Sequence, residues 1–336
     1  MKKRSPINGL LFFINSLAAT LLLFSYALPF VSPKSIPVFA VLSLLVPVLL
    51  VINIGFFIFW LIKLKKQLLL TVFVLTIGWF SITPFYKLSK KNTSLNTDLK
   101  VMSYNVRMFN HWKWLQKEGV ENEISNFISE NDPDVLLIQE NMSVKKHELD
   151  FPYKYIQKKY QNGRFGMAIY SKLPIIKKGY LKLENTSNSI IFADIIRQKD
   201  TIRVYNLHLQ SLSISPDKEN FGKENSEKLF KTLKESFKKQ AEQTTLFLAH
   251  EKDWKGKKIV CGDFNNTAYS WVYNQISKNK KDAFIEAGQG FGKTFKYPFP
   301  LRIDFILTDN KAAINQFNTY AVEYSDHYPI LARINW

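Results

Sequence analysis

The stretch IVCGDFNN places a carboxylate and a carboxamide, Asp263 and Asn265, two residues apart just beyond the apolar pair Ile259 and Val260. Gly262 lets the chain leave that short strand, and side-chain alternation along an extended backbone turns both polar groups the same way. An acid and an amide held together at a strand end can orient a water and hydrogen-bond a phosphoryl oxygen. The same residue types are ordinary turn formers, so the reading depends on its company.

That company is a series of polar residues at the ends of apolar runs. Asn105 follows the strand of LKVMSYN, and Glu140 ends DVLLIQE, where an unpaired carboxylate is costly without a cation. Asn206 and His208 are two apart in NLHLQS and share a face. Asp304 sits inside RIDFIL, and Asp326 and His327 immediately precede the last strand in SDHYPILARINW.

The elements that must position these groups alternate between strands and helices. Apolar spacing predicts helices over residues 120–130, stopped by the Asn-Asp-Pro turn, over residues 228–250, and over residues 269–277. The long middle helix, with its Lys- and Glu-rich outer face, reads as a solvated lid on a sheet. Strands are predicted at residues 99–104, 134–140, 190–196 and 201–207. Asn162-Gly163, between residues 153–160 and 165–170, signals a hairpin. Residues 212–226 read as a polar loop. Zinc-type cysteine pairs and a Walker-type glycine loop are absent, and the single cysteine, Cys261, allows no intramolecular disulfide and reads as a small buried hydrophobe.

In order, SYNV, LLIQE, NLHL, GDFN, IDFIL and SDHYPI resemble the endonuclease/exonuclease/phosphatase superfamily with its deoxyribonuclease I-like fold, over about residues 99–336. GDFN and SDHYP together are specific; NLHL or LLIQE alone is weak. The stretch GMAIYSKLPI looks like the family's third-strand hairpin. The resemblance implies an α/β fold, a four-layer αββα sandwich, with a cleft at the strand ends.

It also implies roles. Glu140 and Asn105 would hold a divalent cation, commonly Mg2+, with Mn2+ and Ca2+ as the other candidates, and Asp326 would support the metal or its water. Asp263 would align or deprotonate the attacking water, and Asn265 would hydrogen-bond phosphoryl oxygens. His327, paired with Asp304, would stabilise or protonate the developing charge, with His208 contacting phosphate from the other side and Asn206 assigned to substrate. Repair nucleases of the superfamily carry an acid where this chain has Arg107, which leaves a second metal in doubt; Arg107 either binds substrate phosphate or faces solvent.

Ahead of this part lie three apolar stretches without a charge, residues 7–31, 36–62 and 68–86, each near or above the ~20 residues that span a bilayer. They predict a membrane domain over residues 1–91, a linker over 92–98 and a catalytic domain over 99–336. Asn15 and Asn53, the polar exceptions, read as helix-to-helix contacts. Six basic residues, Lys2, Lys3, Arg4, Lys63, Lys65 and Lys66, flank one side against four on the other, Lys34, Lys87, Lys90 and Lys91. The positive-inside rule then places the N-terminus in the cytoplasm and the catalytic domain outside it, on a bacterial inner membrane.

Residues 1–91 hold ten of the basic residues and no acid, so the remainder supplies only +8 of the net +18. A moderately basic surface suits an anionic substrate without naming it. Nucleic acid fits the aromatic-basic segments HWKWLQK and YKYIQKKY, and a lipid or sugar phosphate headgroup fits the anchor. The expectation is a membrane-anchored, metal-dependent phosphodiesterase with no protein partner; the alternative is a membrane-anchored binding protein that keeps the fold without catalysis.

Overall fold

The structure is a computed structural model that describes residues 6–142, 149–160, 163–212 and 223–336. Its larger part, from Leu99 on, stacks two six-stranded mixed sheets face to face. The first sheet combines β1 (Leu99–Asn105), β2 (Val135–Met142), β3 (Tyr153–Lys158), β4 (Phe165–Ser171), β11 (Ala313–Thr319) and β12 (Ile330–Asn335) in the order β11-β12-β1-β2-β4-β3. The second combines β5 (Ile175–Leu181), β6 (Ser189–Arg197), β7 (Asp200–His208), β8 (Lys257–Asp263), β9 (Lys280–Asp282) and β10 (Asp304–Asp309) in the order β5-β6-β7-β8-β10-β9.

Alternation explains the core. Leu99 and Val101 of β1, Val135 and Leu137 of β2, Ile202 and Val204 of β7, Ile259 and Cys261 of β8 and Ile306 of β10 all point into the space between the sheets. Their neighbours point out, against helices. Tyr104, Leu136 and Ile138 meet α5 (Val120–Asn131), and Tyr205, Val260 and Phe305 meet α6 (Lys223–Lys252) and α7 (Trp271–Ser277). Cys261 is buried and free, as its apolar strand implied.

Several sequence expectations shift. GMAIYSKLPI is not a hairpin: β4 pairs with β2 and β3, whereas β5 pairs with β6 in the other sheet, so the segment crosses between sheets. Pro174 and a Ser171 hydroxyl accepting from the Leu173 amide turn the chain there. The predicted Asn162-Gly163 turn and the polar loop lie largely outside the described residues. The helix expected over residues 269–277 starts at Trp271, because Ser270 caps it by accepting from the Tyr273 amide. Residues 87–98 are no free tether. Lys87 pairs with Gly290, and Thr93 donates its amide to Asn315.

Ahead of the sandwich stand α1 (Pro6–Ser25), α2 (Pro37–Leu42), α3 (Val46–Ile62) and α4 (Leu68–Ser81). Two runs, Pro6–Phe30 and Pro37–Ile62, are long and apolar enough to cross a membrane. The third expected span is shorter than its sequence suggested. Its helix has 14 residues, roughly 21 Å against a hydrocarbon core of about 30 Å. Pro84 explains the early stop, since the residue before a proline avoids helical backbone. Asn15 accepts from the Trp60 indole at 2.8 Å and Asn53 donates to the Ala18 carbonyl at 3.2 Å, both contacts between α1 and α3.

Candidate active site

The inward-facing positions that build the apolar core turn polar at one end of both sheets. Continuing the same alternation, β1 ends inward on Asn105, β7 on His208 and β8 on Asp263, and β10 begins inward on Asp304. Register brings three of them level: His208 lies beside Asp263 in the parallel pair, and Asp304 lies opposite Asp263 in the antiparallel one. The cleft is therefore the polar continuation of the inter-sheet core.

Glu140 should point away from it, because Ile138, two residues earlier, packs on the outer face. A register shift between Ile138 and Asn141 and a positive φ of 51° at Glu140 re-aim the side chain into the cleft. A bulge with a non-glycine residue in left-handed backbone is strain of a kind that collects at functional sites. Gly262, with φ of +131°, solves the neighbouring problem: a Cβ there would lie 2.0 Å from the Leu207 carbonyl oxygen.

Asp263 is the hub, with its side chain 1% exposed. Its Oδ1 accepts the Asn265 amide at 2.8 Å, and its Oδ2 accepts the side-chain nitrogens of Asn105 at 3.1 Å and Asn265 at 3.2 Å. Both imidazoles point Nε2 at that Oδ2 from 3.7 Å. On its far side His327 places Nδ1 3.0 Å from Asp304 Oδ2. Asn105 also reaches Glu140 Oε1 at 3.3 Å, and His208 Nε2 stands 3.9 Å from that oxygen.

Burial pushes the Asp263 carboxyl up to about 7, with His327 pulling it back and Asp304 adding to the rise. For His327 burial works downward, but Asp304 and Asp263 outweigh it and carry the imidazole up to about 10. His208 goes the other way, to about 3, through burial and the charge of His327. The two histidines thus divide into one imidazolium and one neutral ring. Glu140 is raised from the ordinary carboxylate range by burial and by Asp326.

Asn105, Glu140, His208, Asp263, Asn265, Asp304 and His327 therefore converge as the sequence arrangement proposed. Three expectations are corrected in detail. Asn206 does not reach substrate: fully buried between the sheets, it donates to the Ile138 and Ala168 carbonyls and accepts from Gln139 at 2.6 Å. Asn265 spends its side-chain nitrogen on Asp263 and on the Leu209 carbonyl at 2.9 Å, so it fixes the acid. Arg107, its side chain 32% exposed, is not free: it pairs with Asp326 at 2.9 Å and lies 3.9 Å over the Trp114 ring. That ion pair occupies Asp326 at the rim.

Ser325, Thr294 and Phe295 were missed. The Ser325 hydroxyl donates to the Asn105 carbonyl and accepts the His327 amide, and Thr294 Oγ1 accepts the Asp304 amide at 3.0 Å. Phe295 packs its ring 5.0 Å from His327. Ser325 is the first residue of SDHYP and could have been suspected; nothing in the sequence marks Thr294 or Phe295.

Two packed mixed sheets with acids, amides and imidazoles gathered at their strand ends define a phosphate-ester hydrolase of the deoxyribonuclease I-like type. The model of the endonuclease/exonuclease/phosphatase family matches residues 102–327, and the chain belongs to that family. A domain of unknown function, DUF8431, matches residues 8–85. Similar solved structures include an endonuclease/exonuclease/phosphatase from Bacteroides vulgatus, at 19% identity and TM-score 0.54, covering 71% of this chain and 99% of that one. The mannosyl-6-phosphatase Bt3783 of Bacteroides thetaiotaomicron VPI-5482 is 18% identical, with TM-score 0.53 over 71% of this chain and 100% of that one. D. rerio TDP2, complexed with a single-strand DNA product, is 15% identical, with TM-score 0.53 over 72% and 100%. No curated protein matches the chain.

Proposed function

We propose that the chain is a membrane-anchored, metal-dependent hydrolase that cleaves a phosphodiester by in-line attack of water. The observation that carries this reading is the hub at Asp263, where a buried carboxylate with a near-neutral pKa meets an imidazolium and a neutral imidazole across 3.7 Å gaps. At that separation a water set to one side can hydrogen-bond both the carboxylate and an imidazole.

Asp263, ionised and held by Asn265 and Asn105, takes the proton of the attacking water. His327, kept protonated by Asp304, faces the charge that develops on phosphate and delivers a proton to the departing oxygen. His208, neutral, donates one hydrogen bond from the opposite wall. The donor set also fits a hard divalent cation: Glu140 is strained into the cleft, its pKa is raised by burial and Asp326, and it adjoins the Asn105 carboxamide. Glu140 and Asn105 would hold that ion, Mg2+ in the first instance, which when bound supplies charge neutralisation on the phosphate. Asp263, Asp304 and His327 also lie within 4.8 Å of one another. A protonated His327 lends no lone pair to a metal, so this trio is better read as an ion-paired relay, hydrogen-bonded between His327 and Asp304.

The N-terminal helices anchor the enzyme in a bacterial inner membrane with the sandwich on the extracytoplasmic side. The third apolar segment, short as a helix, crosses where the bilayer thins locally and the flanking Lys65 and Lys66 reach out to the interface. Reporter fusions after Lys91 test this arrangement, and activity of a cytoplasm-only reporter reverses it. The catalytic reading is tested by giving the detergent-solubilised full chain Mg2+ and an aryl phosphodiester. Turnover lost in Asp263→Asn is expected; equal rates in the variant and the wild type remove Asp263 from the chemistry.

A further inference from the structure

The catalytic sandwich meets the membrane helices with its cleft end. Leu212, four residues beyond His208, joins Leu233 and Phe237 of α6 in an apolar cluster against Ala40, Val41 and Leu44 at the start of the second membrane run. Gln240 fixes the height of α6 by donating to the Gln210 carbonyl at 2.7 Å and the Asn265 carbonyl at 3.0 Å, level with the cleft. Residues preceding Gln240 therefore stand at or beyond the mouth, and those are the ones on the membrane helix.

Two more contacts share that end. Tyr269 packs into the bundle's own apolar cluster, and Asn274 donates to the Pro29 carbonyl at 3.0 Å, both just after the carboxyl end of β8. Phe85 and Tyr86, following α4, pack on Phe291, with ring centroids 5.1 and 4.8 Å away, shortly before Thr294 and Phe295 at His327.

Length fixes the depth. The run Pro37–Ile62 has 26 residues, roughly 39 Å as helix, against about 30 Å of hydrocarbon. Lys63, Lys65 and Lys66 follow at once and pin its far end at the opposite interface. About six residues, close to the whole of α2, then rise above the hydrocarbon into a headgroup layer roughly 5–8 Å thick. Ala40 and Val41 lie in that stretch, and Leu212 rests on them. Phe39 and Phe230 remain exposed beside the contact, 39% and 41% respectively, apolar surface suited to the interface between headgroups and chains.

We infer that the cleft opens into the headgroup layer of the bilayer that anchors the chain, and that its substrate is the phosphodiester of a lipid in the same leaflet. This rests on the hydrolase reading above and adds the substrate class. Water adds to phosphorus, the bond from phosphorus to one ester oxygen breaks, and that oxygen leaves as an alcohol carrying the proton from His327. A phosphomonoester remains on the other fragment.

The test reconstitutes the full chain with Mg2+ in phosphatidylcholine vesicles carrying phosphatidylethanolamine, phosphatidylglycerol and sphingomyelin. Parallel arms offer the same headgroups as water-soluble glycerophosphodiesters, a single-stranded oligonucleotide and an aryl phosphodiester. Sharing a layer with the substrate raises its effective concentration, so lipid is expected to turn over at least about tenfold faster than its soluble counterpart. Leu212→Asp combined with Leu233→Asp, which unseats the mouth from α2, should lower lipid turnover at least about tenfold and leave the aryl ester unchanged. Cleavage of the aryl ester with no lipid turned over overturns the lipid assignment alone, as does preference for the oligonucleotide. Failure of the aryl ester together with the lipids overturns the hydrolase reading beneath it.

Discussion

Replacing Asp304 by asparagine keeps the shape of the side chain and removes one charge, 3.0 Å from His327 Nδ1. Burial alone would depress that imidazole, yet it is carried from 6.5 to about 10 by Asp304 and Asp263. At about 1.36 kcal/mol per pH unit, the climb amounts to roughly 5 kcal/mol in favour of the imidazolium. Asp304 is the nearer of the two acids and the hydrogen-bonded one, so it contributes the larger part. An amide presenting its nitrogen to Nδ1 would also favour the wrong tautomer. The Asp304→Asn enzyme should therefore titrate His327 at or below its ordinary value and lose kcat by about 10²–10⁴, with KM little changed. NMR titration of the ring, steady-state kinetics on an aryl phosphodiester and circular dichroism of the fold make the assay. A variant with wild-type kcat and an unmoved alkaline limb would refute the relay.

The pH profile of kcat/KM should be a bell. Asp263 works only when ionised, so activity climbs as pH rises through about 7, and His327 works only when protonated, so activity falls as pH passes about 10. A profile with neither a rise through about 7 nor a fall through about 10 would remove both groups from the chemistry. Glu140→Gln should raise the Mg2+ concentration for half-activation at least about tenfold, since it deletes the charge while keeping the shape, and an unchanged titration excludes Glu140 as a ligand. Gly262→Ala forces a Cβ to 2.0 Å from the Leu207 carbonyl oxygen in a backbone with φ of +131°. The expected loss of about 3 kcal/mol or more shows as a large drop in Tm, and an unaltered Tm would mean the strands separate there at little cost.

Much of this was legible in the residues themselves. GDFN and SDHYP mark a family and its site, and apolar runs ending in a single polar residue mark where strands end. Glu140 was legible in type but not in aim, because alternation points it outward and only the bulge brings it back. The length of the third apolar helix was misjudged through composition: a tract can be apolar to Tyr86 while Pro84 stops its helix at Ser81. The lid reading of α6 was right about the sheet and incomplete, for a related reason. Its apolar stripe has two customers, the sheet near Phe247 and the membrane helix near Leu233, and periodicity reports the stripe without its partners.

Asn206 shows the deeper limit. Alternation along β7 gives its face correctly, since Asn206 and His208 both point between the sheets. What alternation cannot give is depth, which is set by pairing with a strand some fifty residues away. Register puts His208 beside Asp263 but Asn206 beside Cys261, about 6–7 Å farther into the apolar layer. At that depth an amide has no water to turn to, and it survives only by meeting Gln139 and two backbone carbonyls from the opposite sheet. One step toward the strand end, the same geometry leaves the His208 imidazole aimed into the gap at Asp263. Two residues of register thus separate a polar group that joins the sheets from one positioned to meet a phosphate.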